Sequence, residues 1–162
     1  MKNEKWGPGP WDDEPDDERF DTAVGLAAWV RRVPYGNLCG YVALPPGHPL
    51  YGDDELVVDV HGGLTFSGVF EPDDPTWWVG FDCGHWGDST PESACAVGAL
   101  TLGGSTYRDI EYVRAECEKL AGQLDVSGWR ERVAKAAGHP GVVAAFRLGG
   151  APAVDRVLEE IG

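Results

Sequence analysis

Thr76-Trp77-Trp78-Val79-Gly80-Phe81-Asp82-Cys83-Gly84-His85-Trp86-Gly87-Asp88 is the stretch on which the fold turns. Trp77, Trp78, Val79 and Phe81 are aromatic or β-branched residues of the kind that fill a pleated, half-buried surface, so Thr76–Phe81 is predicted to be a strand. The strand runs directly into Asp82, Cys83, His85 and Asp88, and Gly84 and Gly87 let the backbone turn sharply enough to gather those side chains. Upstream, His61 opens His-Gly-Gly-Leu-Thr-Phe-Ser-Gly, with Asp59 just before it. The two glycine-punctuated segments are expected to face each other and form one site.

Working outward, two apolar runs, Gly25–Val33 and Leu38–Leu44, flank Pro34-Tyr35-Gly36-Asn37 and read as a β-hairpin. Pro45-Pro46-Gly47-His48-Pro49 ends the second strand, because prolines cannot donate to a ladder. Leu56–His61 alternates, with Leu56, Val58 and Val60 on one face, which predicts a further strand. Gly62-Gly63 turns the chain, and Leu64–Phe70 is expected to return alongside. Ser89–Ser105 is rich in small residues and reads as a loop with a short turn of helix. Over Tyr107–Leu124 the apolar residues Ile110, Val113, Cys117, Leu120, Ala121 and Leu124 recur at helical spacing, and Glu111, Arg114, Glu118 and Lys119 cover the other side. The reading is α+β: an antiparallel sheet of four to five strands packed against one long helix.

Three regions follow. Residues 1–21 are read as an acidic, loosely held arm anchored by its large apolar groups, Trp6 and Trp11, and 22–125 are the core domain. Residues 126–162 are a helical extension, with helices predicted at Ser127–Ala137, Pro140–Leu148 and Pro152–Ile161, and are expected to serve homo-oligomerisation.

The net charge of −14 over 162 residues excludes unassisted binding to DNA, RNA or an anionic membrane, all of which demand that phosphates be neutralised. The acidity has two readings, colloidal solubility or mimicry of nucleic acid in a partner's basic groove. Seven tryptophans is a high number for this length, and several must lie in the core or line a pocket. Cys39, Cys83, Cys95 and Cys117 lack C-x-x-C spacing, and Met-Lys-Asn-Glu-Lys-Trp-Gly-Pro carries no apolar leader. Free thiols in a reducing cytoplasm are therefore expected.

Several motifs carry a resemblance. Leu38-Cys39-Gly40-Tyr41-Val42, Pro45-Pro46-Gly47-His48-Pro49-Leu50-Tyr51-Gly52, Val60-His61-Gly62-Gly63-Leu64-Thr65-Phe66, Trp77 to His85, and Tyr107-Arg108-Asp109-Ile110-Glu111-Tyr112-Val113 occur in this order. Together they resemble a family of small uncharacterised proteins common in bacteriophage and prophage genomes, over roughly residues 36–124. The resemblance implies a viral accessory protein working in the bacterial host cytoplasm and carries no activity with it. Many such relatives have a longer insert, with added Cys and His, where this chain has only Ser67–Pro75. The segment Val126–Gly162 lies outside the likeness.

Three chemistries compete for the clustered residues. A metal site would draw on His61, Cys83, His85 and Asp88, with Asp59 or Asp82 orienting an imidazole. Nucleophilic catalysis would use Cys83, with His61 or His85 as base and Asp82 as orienter. A binding pocket for a flat polar molecule would be built from Asp59, His61, Gly62, Gly63, Thr65, Trp77, Trp78, Asp82, His85, Trp86 and Asp88. Each has a structural counterpart: Asp82 and His85 can simply tie down a turn, and Arg108 can pair with Asp88 at a helix start. The sequence favours a binder over an enzyme, taking a small nucleotide-like ligand or a host factor to counter host defence. The alternatives are a metal-assisted or Cys/His-dependent hydrolase, and an acidic inhibitor mimicking nucleic acid. No organic cofactor is expected; a divalent metal is the candidate inorganic group.

Overall fold

The computed structural model describes residues 6–97 and 104–126. In chain order the elements are β1 (Asp17–Asp21), β2 (Ala27–Arg32), β3 (Leu38–Leu44), β4 (Phe66–Gly68), β5 (Trp77–Asp82), β6 (Asp88–Ser89), α1 (Pro91–Val97), β7 (Thr106–Tyr107) and α2 (Ile110–Leu124). Five strands form one antiparallel sheet in the order β1-β2-β3-β5-β4. The class is α+β, as the patterning predicts.

Every residue of β3 is buried, because this central strand is covered on both faces and its run is apolar throughout. Leu38, Val42 and Leu44 join Val30, Val79, Phe81 and the α2 stripe of Val113, Cys117, Leu120, Ala121 and Leu124 in the main core. Cys39, Tyr41 and Ala43 point the other way, into a smaller cluster with Trp29 and Trp78. At Gly40 the helix approaches the sheet closely. A Cβ there would lie 2.5 Å from the Phe81 ring and 2.6 Å from the Cys117 sulfur, so no larger residue fits.

α2 begins at Ile110 rather than Tyr107. Asp109 takes the N-cap, its carboxylate accepting from the Tyr112 N–H at 2.9 Å. Tyr107 belongs instead to β7, which pairs in parallel with β6. Ser89–Ser105, expected as a loop with a short turn of helix, contains α1 and is bracketed by this two-stranded ladder.

Two further expectations are corrected. Leu56–His61 is not a strand, although its alternation is real: Leu56 and Val60 are buried, and Val57 and Asp59 exposed. Its backbone is held by side chains of α2. Gln123 accepts from the Asp59 N–H and donates to the Asp59 carbonyl, both at 2.8 Å, and Glu116 accepts from the His61 N–H at 2.7 Å. Those groups satisfy the backbone that a neighbouring strand would otherwise have paired.

The loosely held arm is also corrected over residues 6–21: Asp17–Asp21 is the edge strand β1, while the anchoring by Trp6 and Trp11, both buried, is as expected, and residues 1–5 lie outside the described residues. Trp11 packs edge-on against Tyr107 with ring centroids 5.4 Å apart. Below it Arg32 donates to Glu14 at 2.8 Å, to Asp16 at 2.7 Å, to the Gly36 carbonyl at 2.8 Å and to the Tyr107 hydroxyl at 3.0 Å. The three C-terminal helices predicted from Ser127 onward lie outside the described residues.

Candidate metal centre

The site is assembled by a turn, a second turn and the start of α2. Val60–Gly63 closes through the Gly63 N–H to the Val60 carbonyl at 2.9 Å. Gly62 adopts φ +66°, and a Cβ on it would fall 2.2 Å from Cε1 of His85. Glycine is thus required twice over, for a left-handed backbone and for the space the imidazole fills. The second turn, His85–Asp88, closes through the Asp88 N–H to the His85 carbonyl at 2.9 Å, with the Asp88 carboxylate accepting from the His85 N–H at 3.1 Å.

The imidazoles of His61 and His85 meet edge-on, with centroids 5.5 Å apart and planes at 75°. Asp88 is the hub: its side chain is 2 % exposed and receives His61 Nε2 at 2.8 Å and Arg108 Nε at 2.9 Å. The parallel pairing of Asp88 with Thr106 is what brings Arg108 within reach. Burial works against ionisation of Asp88. The bonds from His61, Arg108 and the His85 N–H outweigh it, and the carboxyl is held below its ordinary range. An ionised Asp88 can only accept, so the neutral His61 ring carries its proton on Nε2. Nδ1 then accepts from the Tyr112 hydroxyl, 3.0 Å away. Burial, followed by the nearby Glu116 carboxylate, raises the Tyr112 phenol and keeps it a donor.

His85 is different. Its Nδ1 is buried without a hydrogen-bond partner among the described residues, 3.8 Å from carboxylate oxygens of both Asp88 and Asp82. An unpaired buried ring nitrogen is costly, and a cation would satisfy it. His61, His85 and Asp88 each offer one ligand atom, and these lie within 4.8 Å of one another. The group could hold a metal once His61 exchanges its hydrogen bond to Asp88 or to Tyr112 for the cation, and two imidazoles with one carboxylate are donors that suit zinc or a similar first-row cation.

Not all the sequence candidates converge here. Cys83 is 2 % exposed and packs in the main core, and burial, with Asp88 and other neighbours adding, pushes its thiol far above the ordinary range. It is neither an activated nucleophile nor part of the ligand group, because it continues the inward parity of Val79 and Phe81. Trp77 packs against Tyr51 at the far end of β5, and Trp78 lies in the cluster on the opposite face of the sheet. Neither lines the site. Thr65 is exposed and ties its N–H to the Gly80 carbonyl. The Asp59 carboxylate is exposed and pairs with Lys119 at 3.0 Å. Asp82 stands at the edge of the group, its Oδ1 accepting from the Gly84 N–H at 2.9 Å, and Trp86 beside His85 is fully exposed.

Sequence reasoning passed over Tyr112, Glu116 and Gln123. Their signal is a polar stripe at helical spacing along the border of the apolar one, a pattern that exposed helix faces also show. Compared with known proteins, the chain matches no family model, no curated protein and no solved structure.

Proposed function

We propose that this is a phage-type accessory protein that holds a divalent cation at His61, His85 and Asp88 and through it binds a small phosphorylated, nucleotide-like ligand, countering host defence. The observation that carries the reading is the buried Nδ1 of His85, which has no hydrogen-bond partner among the described residues, beside two further donors already gathered within 4.8 Å. Charge supports it. A chain of net charge −14 repels a phosphate unless positive charge is placed locally, and the adjacent Arg108 is already committed to Asp88. A cation with open coordination positions supplies that charge. The exposed indole of Trp86 next to the site offers a face on which a ring can stack.

The test is metal content and binding on protein purified without a histidine tag. Zinc or manganese is expected to bind at one equivalent and to raise the thermal midpoint, with His61→Ala, His85→Ala and Asp88→Asn abolishing the effect. Nucleotides are expected to raise the midpoint further, and only with the cation present. Absence of stoichiometric binding to the wild type, or binding that survives His85→Ala, overturns the proposal.

A second reading is metal-assisted hydrolysis at the same cluster, with His85 and Asp88 holding the cation and His61 left to move a proton. Both ring nitrogens of His61 are hydrogen-bonded, one to Tyr112 and one to Asp88, an arrangement able to pass a proton. Ligand recovered intact after incubation favours the binder, and a chemically changed ligand the enzyme.

A further inference from the structure

A cavity adjoins the metal-ligand group. It lies between the β2–β3 turn and the start of α1, has a volume of about 410 Å³, and is lined by Val33, Tyr35, Asn37, Asp82, Thr90 and Glu92 among others. That volume falls in the range of small-molecule pockets. Its walls are fixed. The Glu92 N–H donates to the Tyr35 carbonyl at 3.3 Å, and Gly36 sits against Pro91 with no room for a Cβ.

We propose that this cleft is the base subsite of the nucleotide-like ligand and that it selects an amino-bearing purine, guanine in particular. The inference rests on the preceding reading that the ligand is a nucleotide. Among the described residues no Lys, Arg or His lines the cleft, while Asp82 and Glu92 do, so it rejects phosphate and favours a ring edge rich in N–H donors. Guanine presents N1–H and the 2-amino group side by side, which one carboxylate accepts as a parallel pair. Asp82 is placed to do this. Beside it stands the side chain of Asn37, a residue only 7 % exposed, whose Nδ2 meets the Cys39 thiol at 4.0 Å, a weak acceptor, and so keeps donor capacity for the purine O6. Tyr35, 66 % exposed, supplies an aromatic face at the mouth, and Val33 an apolar wall. Asp82 also faces the metal group, with its Oδ1 3.8 Å from His85 Nδ1. A base in the cleft therefore directs its phosphate toward the cation.

Calorimetry with guanosine, inosine and ribose 5-phosphate, each in EDTA and then with manganese, separates this inference from the one it rests on. Guanosine is expected to bind in EDTA, and inosine, which lacks the 2-amino group, about tenfold more weakly, the cost of one charge-assisted hydrogen bond. Asp82→Asn is expected to bring guanosine down to the level of inosine. Tyr35→Ala, at an exposed position, is expected to weaken both alike. Ribose 5-phosphate is expected to need manganese and to be indifferent to Tyr35→Ala. Equal affinity for guanosine and inosine, no guanosine binding in EDTA, or a preference that survives Asp82→Asn overturns the base subsite. Failure of ribose 5-phosphate with manganese, while guanosine still binds, overturns the metal reading alone.

Discussion

Removing the carboxylate of Glu14 tests whether the N-terminal segment is part of the folded unit. Glu14 is 8 % exposed in its side chain and accepts from Arg32 Nη2 at 2.8 Å, from the Ile110 N–H at 2.9 Å, and from the Tyr107 hydroxyl in a short bond. Glu14→Ala leaves the Arg32 guanidinium, 3 % exposed, with Asp16 as its remaining carboxylate. Breaking a buried ion pair from one side costs roughly 3–5 kcal/mol. Asp16 is 61 % exposed and water reaches it, so the lower end applies, about 3 kcal/mol. At 162 residues that is a fall of about 10 °C in the thermal midpoint. Urea denaturation followed by tryptophan fluorescence measures it, since Trp11 packs on Tyr107 beside the pair. Glu14→Gln, which keeps an acceptor and loses the charge, is expected to fall between the two. A loss below about 1 kcal/mol for Glu14→Ala would refute the reasoning and return residues 6–21 to the status of a loose arm.

Gly62→Ala places a Cβ 2.2 Å from the His85 ring, whereas Gly63→Ala, also at positive φ, meets nothing within 4 Å. Both lose about 1–2 kcal/mol to backbone strain, but only the first is expected to abolish metal-dependent stabilisation; equal effects on metal binding would sink the steric argument. Gly40→Ala has no space between Phe81 and Cys117 and is expected to cost about 1–3 kcal/mol by urea titration, whereas a neutral result would mean that helix and sheet are not closely packed. Burial raises the thiols of Cys39, Cys83 and Cys117, that of Cys39 to about 11 and that of Cys117 to about 12. Unfolded thiols titrate near ~8.5, so their stabilising contribution is whole below that pH and is lost as pH rises through the folded values, because the unfolded chain sheds protons that the folded one keeps. Stability is expected to fall from pH 8.5 to 11 by up to ~1.4 kcal/mol per pH unit per thiol, with exposed Cys95 alone among the four reacting fast with a thiol reagent; a flat profile or several fast thiols contradicts the packing.

The sequence by itself determined the elements whose side chains obey a period. The unbroken apolar run of β3 requires cover on both faces, the stripe from Val113 to Leu124 requires a helix against the sheet, and Pro34-Tyr35-Gly36-Asn37 requires a turn. Even the meeting of His61 and His85 was legible, because glycine marks where a backbone turns and how closely a ring can approach. The parity of Val79, Phe81 and Cys83 also placed the thiol inward, a signal outweighed by the attraction of a Cys near two His residues. What only the tertiary structure decided concerns groups satisfied by distant partners. The acidic composition of residues 6–21 reads as solvated chain, yet Arg32 and Tyr107 draw Glu14 into the interior. Leu56–His61 alternates like a strand, but α2 supplies Glu116 and Gln123 to its backbone before any strand can. Local pattern fixes which side of the chain turns inward; which group completes each buried hydrogen bond depends on elements far along the chain, and no periodicity encodes it.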